Sequence, residues 1–162
     1  PKKGILFRDI TTLIKNNDAF THTIDLMVEN SKDFKIDKIA AMESRGFVFA
    51  SALSYILKKP FILLRKKNKL PAETHSVDFE LEYGTATMEV HKDSIEKNDN
   101  VLLIDDLIAT GGTAEAAAKL VEISKGNVSG FIFVINLFDL GGSDNLVKKG
   151  YKVKNLIEFP GH

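Results

Sequence analysis

No cysteine occurs in the 162 residues, which excludes a disulfide scaffold and a thiolate metal site and fits a reducing compartment. Neither sign of charge is in excess. Twenty-two Lys and Arg balance 22 Asp and Glu, so composition makes no electrostatic case for nucleic acid or for a membrane surface. No signal peptide and no apolar run of spanning length is visible. No repeat, linker or low-complexity tract divides the chain. The four histidines, His22, His75, His91 and His162, are scattered without ligand spacing; His75 alone stands out, for its place in a polar loop. What is present is ordinary globular composition, 44% hydrophobic and 27% charged, at a length that suits one domain with a proper core. These bounds predict a single cytoplasmic domain, 1–162. The chain opens on Pro1 rather than Met, so a preceding segment is expected.

One stretch organises the rest. Val101, Leu102, Leu103 and Ile104 run without alternation, as in a parallel strand covered on both faces. Asp105 and Asp106 follow at the expected C-terminal end of that strand, then Leu107 and Ile108, then the loop Ala109-Thr110-Gly111-Gly112-Thr113. Ala114, Ala117, Ala118 and Val121 then recur at helical spacing. In an open α/β sheet, ligands bind beyond the carboxyl ends of strands. Glycines let the backbone turn its N–H groups toward an anion, and a helix starting near Thr113 adds free N–H groups and a positive dipole end. The loop therefore favours a phosphate. The two carboxylates would repel a bare anion, so they belong with hydroxyls or a metal on the same ligand. A ribose phosphate satisfies both demands. No Lys follows the glycines, so this is not a P-loop, and the Gly-x-Gly-x-x-Gly spacing of dinucleotide sites is absent. A phosphoacceptor receiver domain also carries an Asp pair after an apolar strand, but only about sixty residues follow Asp105, too few for the rest of such a sheet.

A second strand-to-helix turn repeats the pattern. A buried strand at 38–42 leads into Glu43-Ser44-Arg45-Gly46-Phe47, which opens a helix to about Leu57. Ser44, Arg45 and the N–H groups of that helix start form a second anion candidate; an Arg there opposes the helix dipole, a conflict that a bound anion removes. A third strand, 60–64, runs into the basic cluster Arg65-Lys66-Lys67-Asn68-Lys69, at the strand end where the ligand crevice belongs. Residues 72–79 lack an apolar period and are expected to be mobile. Residues 80–90 read as a hairpin turning at Tyr83-Gly84, so that 66–90 make a loop-and-hairpin lid. Elsewhere, Gly4 to Thr11 reads as a short extended piece with a turn, and Asn17 or Asp18 is expected to cap a helix ending near Asn30. Residues 128–137 form a strand, Ser143 caps a short helix stopped at Gly150, and 151–157 form a last strand. Strands alternating with helices imply an α/β fold with a mostly parallel twisted sheet of about five strands.

Four separated stretches together carry a family resemblance. Gly4-Ile5-Leu6-Phe7-Arg8-Asp9-Ile10, Glu43-Ser44-Arg45-Gly46-Phe47, the cluster from Arg65 through Leu70-Pro71 with Leu81-Glu82-Tyr83-Gly84, and the central motif come in family order. The chain resembles the adenine phosphoribosyltransferases of the type I phosphoribosyltransferase family. The resemblance implies conversion of adenine and phosphoribosyl pyrophosphate to AMP and pyrophosphate, with Mg²⁺ held mainly by substrate and water rather than directly by the protein. It implies that Ala109, Thr110, Gly111, Gly112 and Thr113 hold the 5′-phosphate and that Asp105 and Asp106 address the ribose hydroxyls. Ser44, Arg45, Arg65, Lys66 and Lys69 would address pyrophosphate. Leu6, Phe7 and Arg8 would bind the base within a hood segment, 1–12, usually preceded by a helix. Glu82 and Tyr83 would belong to the mobile loop, Glu82 handling a purine proton. A cis peptide between Glu43 and Ser44 and a homodimer are further implications. Asn68 stands where relatives often carry Gly. Two other readings stay open: a sibling enzyme using hypoxanthine, guanine or xanthine, and a non-catalytic sensor of phosphoribosyl pyrophosphate with the same fold.

Overall fold

Apolar runs that face both ways dictate the centre of the fold. In the computed structural model, which describes residues 10–81 and 84–161, five parallel strands form one sheet: β1 (Lys38–Met42), β2 (Phe61–Lys66), β5 (Asn100–Ile108), β6 (Asn127–Leu137) and β7 (Val153–Phe159). The hairpin β3 (Thr74–Leu81) and β4 (Gly84–His91) extends it, with β4 antiparallel to β2, so the order is β3-β4-β2-β1-β5-β6-β7. Adjacent residues on a strand point to opposite faces. Ala40, Leu64, Leu103, Phe131 and Phe133 accordingly pack under α4 (Gly112–Ile123), against Ala117, Leu120 and Val121. Ile39, Ala41, Leu102, Ile104 and Ile132 pack on the other face, against Phe49 and Leu53 of α3 (Arg45–Leu57) and Ile24 and Met27 of α2 (Asn17–Ser31). Each fully buried Leu or Ile in these layers contributes roughly 1.5–3 kcal/mol relative to exposure. This two-sided cover is why the strands carry no polar alternation.

Several expectations are corrected. The central strand does not stop before the acidic pair: Leu107 and Ile108 still pair with Ile135 and Asn136 of β6, so Asp105 and Asp106 lie within β5. The mobile stretch expected at 72–79 is mostly strand, because each residue from Thr74 to Leu81 finds a partner on β4. Its weak apolar period follows from an edge position with little burial. Ile10–Lys15 forms α1, with Ile10 and Leu13 buried, where an extended piece is expected at Ile10 and Thr11. Asn16, not Asn17 or Asp18, caps α2: its Oδ1 accepts from the Ala19 N–H at 3.0 Å. Ser143 does not cap α5 (Gly142–Lys148). Gly141 does, at φ 81°, while Ser143 is buried and its hydroxyl accepts from Asn155 Nδ2 at 2.9 Å. Asn68 adopts φ 66°, a left-handed conformation that Asn tolerates and Gly adopts freely, and its N–H donates to Glu89 at 2.7 Å. The base-binding expectation at Leu6, Phe7 and Arg8, and those at Glu82 and Tyr83, lie outside the described residues.

Candidate active site

The carboxyl ends of β1 and β5 sit side by side, since Ala41 registers with Ile104. The turns that leave them therefore share one cleft of about 250 Å³, lined by Glu43, Ser44 and Arg45 from one, Asp105 through Ala114 from the other, and Phe133. After β5 the chain turns at Gly111, whose φ of 93° is a conformation that side chains disfavour. Gly112 opens α4 there, and no side chain caps it. The start of α4, with its free N–H groups, thus lines the cleft together with Thr110 and Thr113. That is a cradle for a dianion made of backbone rather than of charge.

The acidic pair lies one step deeper. Asp106 is buried, with 4% of its side chain exposed, and its Oδ2 lies 2.9 Å from Nε of Arg45, whose side chain is 65% exposed. The contact is a charge contact only: Asp106 Oδ2 has no hydrogen-bond partner among the described residues. An acceptor buried in a cleft and left without a donor is costly unless a ligand supplies one. Asp105 accepts from the Asp106 N–H at 2.8 Å. Burial first, and then the neighbouring Asp106 charge, push the Asp105 carboxyl well above the usual carboxylate range. Helix α3 approaches this pair closely because residue 46 is Gly. A Cβ there would stand 3.0 Å from Asp105 Oδ1 and 3.2 Å from the Ile104 carbonyl oxygen.

The Glu43–Ser44 peptide ahead of α3 is cis, as the family pattern implies. The Glu43 side chain reaches sideways to β2, accepting from the Lys66 N–H and standing 3.7 Å from Arg65 Nε. Arg65 and Lys66 line a second, more apolar cavity that shares Glu43 and Thr113 with the first.

The phosphoribosyl transferase domain family matches residues 10–159. An adenine phosphoribosyltransferase of Pelagibacter ubique is 79% identical over 162 residues, 100% of this chain and 93% of that one. The chain belongs to the adenine phosphoribosyltransferase family, within the type I phosphoribosyltransferases. Among solved members of that family, the Thermoanaerobacter pseudethanolicus protein superposes with a TM-score of 0.90 at 46% identity, over 98% of this chain and 91% of that one. The Saccharomyces cerevisiae protein, solved in complex with an imino-altritol bisphosphate and adenine, gives 0.82 at 37% identity, over 91% and 85%.

Within this adenine phosphoribosyltransferase fold, Ser44, Arg45, Asp105, Asp106, Ala109, Thr110, Gly111, Gly112 and Thr113 all meet in one cleft. Arg65 and Lys66 adjoin it. Lys69 lines neither cavity; its N–H donates to the Lys66 carbonyl beyond the end of β2. Glu43, Gly46 and Phe133 carry no assigned role in the sequence reading. The signal for Gly46 was its place one residue into a helix that faces a strand; Glu43 and Phe133 gave none beyond adjacency. Among the described residues, no group of three or more His, Cys, Asp or Glu could hold a metal ion, and no helix is long and apolar enough to cross a membrane.

Proposed function

We propose that this chain transfers the phosphoribosyl group of phosphoribosyl pyrophosphate to adenine, releasing pyrophosphate and forming AMP, a purine-salvage reaction. One observation carries the reading: an uncapped helix start behind a glycine turn shares a cleft with a buried carboxylate oxygen that lacks a donor. The first suits a 5′-phosphate and the second a ribose hydroxyl.

In this reading Ala109, Thr110, Gly111, Gly112 and Thr113 grip the 5′-phosphate, and Asp105 and Asp106 hold the sugar diol. Ser44, Arg45, Arg65, Lys66 and Lys69 receive the pyrophosphate. Arg45 then stands between the leaving group and Asp106. Adenine N9 attacks the anomeric carbon as the bond to pyrophosphate breaks, through an oxocarbenium-like transition state. Guanidinium and ammonium groups stabilise the negative charge that grows on the leaving group, and the two carboxylates offset the positive charge on the ring. Fixing the sugar at both ends removes much of the orientational cost. Leu6, Phe7 and Arg8 are assigned to the base, Glu82 to a purine proton and Tyr83 to the lid that excludes water. Mg²⁺ would be held mainly by substrate oxygens and water rather than directly by the protein. When bound, the ion neutralises pyrophosphate charge.

Incubation with phosphoribosyl pyrophosphate, Mg²⁺ and a base panel (adenine, hypoxanthine, guanine, xanthine, uracil) tests this. AMP from adenine is the expected product. Another nucleotide reassigns the base, and tight binding without turnover makes the chain a sensor.

We also infer a homodimer through α3. Val48, Tyr55 and Ile56 lie on one face of that helix and are 37%, 85% and 47% exposed, a large apolar surface for an isolated helix. Tyr55→Glu is expected to yield monomers in analytical ultracentrifugation; an unchanged dimer moves the interface elsewhere. A cytoplasmic setting is part of the same reading and rests on the family.

A further inference from the structure

The turn Leu140-Gly141-Gly142-Ser143 has no role in the proposed chemistry, yet it lies against the back of the phosphate cradle. The Gly142 N–H donates to the Ala109 carbonyl at 3.1 Å. A Cβ at 142 would stand 2.5 Å from that same oxygen, 2.8 Å from the Gly111 nitrogen and 2.8 Å from the Thr110 carbonyl carbon. All three are backbone atoms of the cradle, so no side chain could swing aside to make room. Gly111 would reciprocate, since a Cβ on it would meet Gly142 Cα at 3.1 Å and Gly142 O at 3.3 Å. Two glycines from distant turns therefore pack backbone on backbone. Gly142 lacks a positive φ, so its conformation does not demand glycine; only this approach does. The ledge itself is anchored, because Ser143 is buried and accepts a hydrogen bond from Asn155 on β7.

We propose that Gly142 is a positioning residue for the phosphoribosyl site: the start of α5 is a ledge that sets where the Ala109–Gly111 backbone stands, and so where the 5′-phosphate is held. The inference rests on the assignment of that loop to the phosphate. Displacing the loop by part of an ångström misaims several N–H groups at once, and misplacement of about 1 Å can cost roughly 100-fold.

Gly142→Ala tests it beside two other variants. Gly150→Ala, at the far end of α5, carries the strain of φ 93° with nothing within 4 Å of the added carbon, and reports loss of stability alone. Thr110→Ala reports on the phosphate assignment. Expected for Gly142→Ala is a rise of roughly tenfold or more in KM for phosphoribosyl pyrophosphate and in Kd for AMP, with KM for adenine nearly unchanged. Gly150→Ala is expected to lower Tm without changing KM. If Thr110→Ala weakens AMP binding and Gly142→Ala does not, the ledge is refuted while the phosphate assignment stands. If neither does, the assignment itself fails. Should Gly142→Ala not fold, hydrogen exchange of the unaltered protein decides. AMP is expected to slow exchange at the Gly142 amide together with those at residues 111–113; slowing confined to the loop overturns the proposal.

Discussion

The turn after β5 and the turn after β1 both lead from a buried parallel strand into a helix, and they meet in one cleft, yet they are built from different materials. The first uses backbone: a left-handed Gly111, an uncapped helix start and a second glycine ledge packed behind it. The second uses side chains, with Arg45 largely exposed and Arg65 and Lys66 on the strand next door. Fixed amides keep one geometry throughout a turnover, which suits a phosphate that stays bound. Long charged side chains can follow an oxyanion as it departs, at a cost in rotamer entropy and in sensitivity to salt. Asp106 lies between the two regions and belongs to both, through its place in β5 and its contact with Arg45.

That contrast can be broken in four ways, in falling order of effect. Asp106→Asn removes the buried charge that faces Arg45 and, in the proposed reading, the sugar; turnover is expected to fall by roughly 100-fold or more in steady-state assays. Near-normal rates would take the acidic pair out of the mechanism. In the proposed reading Thr110→Ala removes one charge-assisted hydroxyl hydrogen bond to the phosphate, worth about 1.5–3 kcal/mol, and calorimetry with AMP should register it at both low and high salt. Lys66→Ala, on the exposed side, should cost only about 1 kcal/mol in KM for phosphoribosyl pyrophosphate, and the loss should shrink as ionic strength rises. An effect as large as that of Thr110→Ala, or one indifferent to salt, would erase the distinction.

The smallest effect concerns stability and pH. Asp105 titrates in the folded chain well above the ordinary carboxylate range, chiefly because it is buried and then because Asp106 is charged. The folded state therefore keeps a proton that the unfolded chain has already lost, and stability falls as pH rises from about 4 through that raised value. Asp105→Asn is expected to raise Tm at neutral pH, with the advantage vanishing below about pH 4. Scanning calorimetry across that interval measures it; a variant less stable at neutral pH would mean that Asp105 is held ionised by its surroundings.

Legibility in the sequence followed the length of each signal. The runs at 38–42 and 128–137 were read almost to the residue, because continuous apolar character needs no partner to be recognised. The end of the central strand was misread at the acidic pair, because Asp105 and Asp106 look like a terminus until β6 supplies Ile135 and Asn136 as partners for Leu107 and Ile108. Strand β3 was invisible for the same reason: an edge strand with polar residues owes its form to its neighbour β4. The cap at Ser143 failed because its hydroxyl faces Asn155, a residue brought near only by the sheet.

By itself, the order of residues determined the alternation of strands and helices, the glycine turn before a helix, the adjacent carboxylates and the basic cluster, since each is a pattern within a dozen neighbouring positions. Tertiary structure alone decided that Arg45 faces Asp106, that Glu43 reaches β2, and that Gly142 backs Gly111. Those contacts join residues 23 to 61 positions apart, and register in a parallel sheet, which no local pattern encodes, is what brings them within reach.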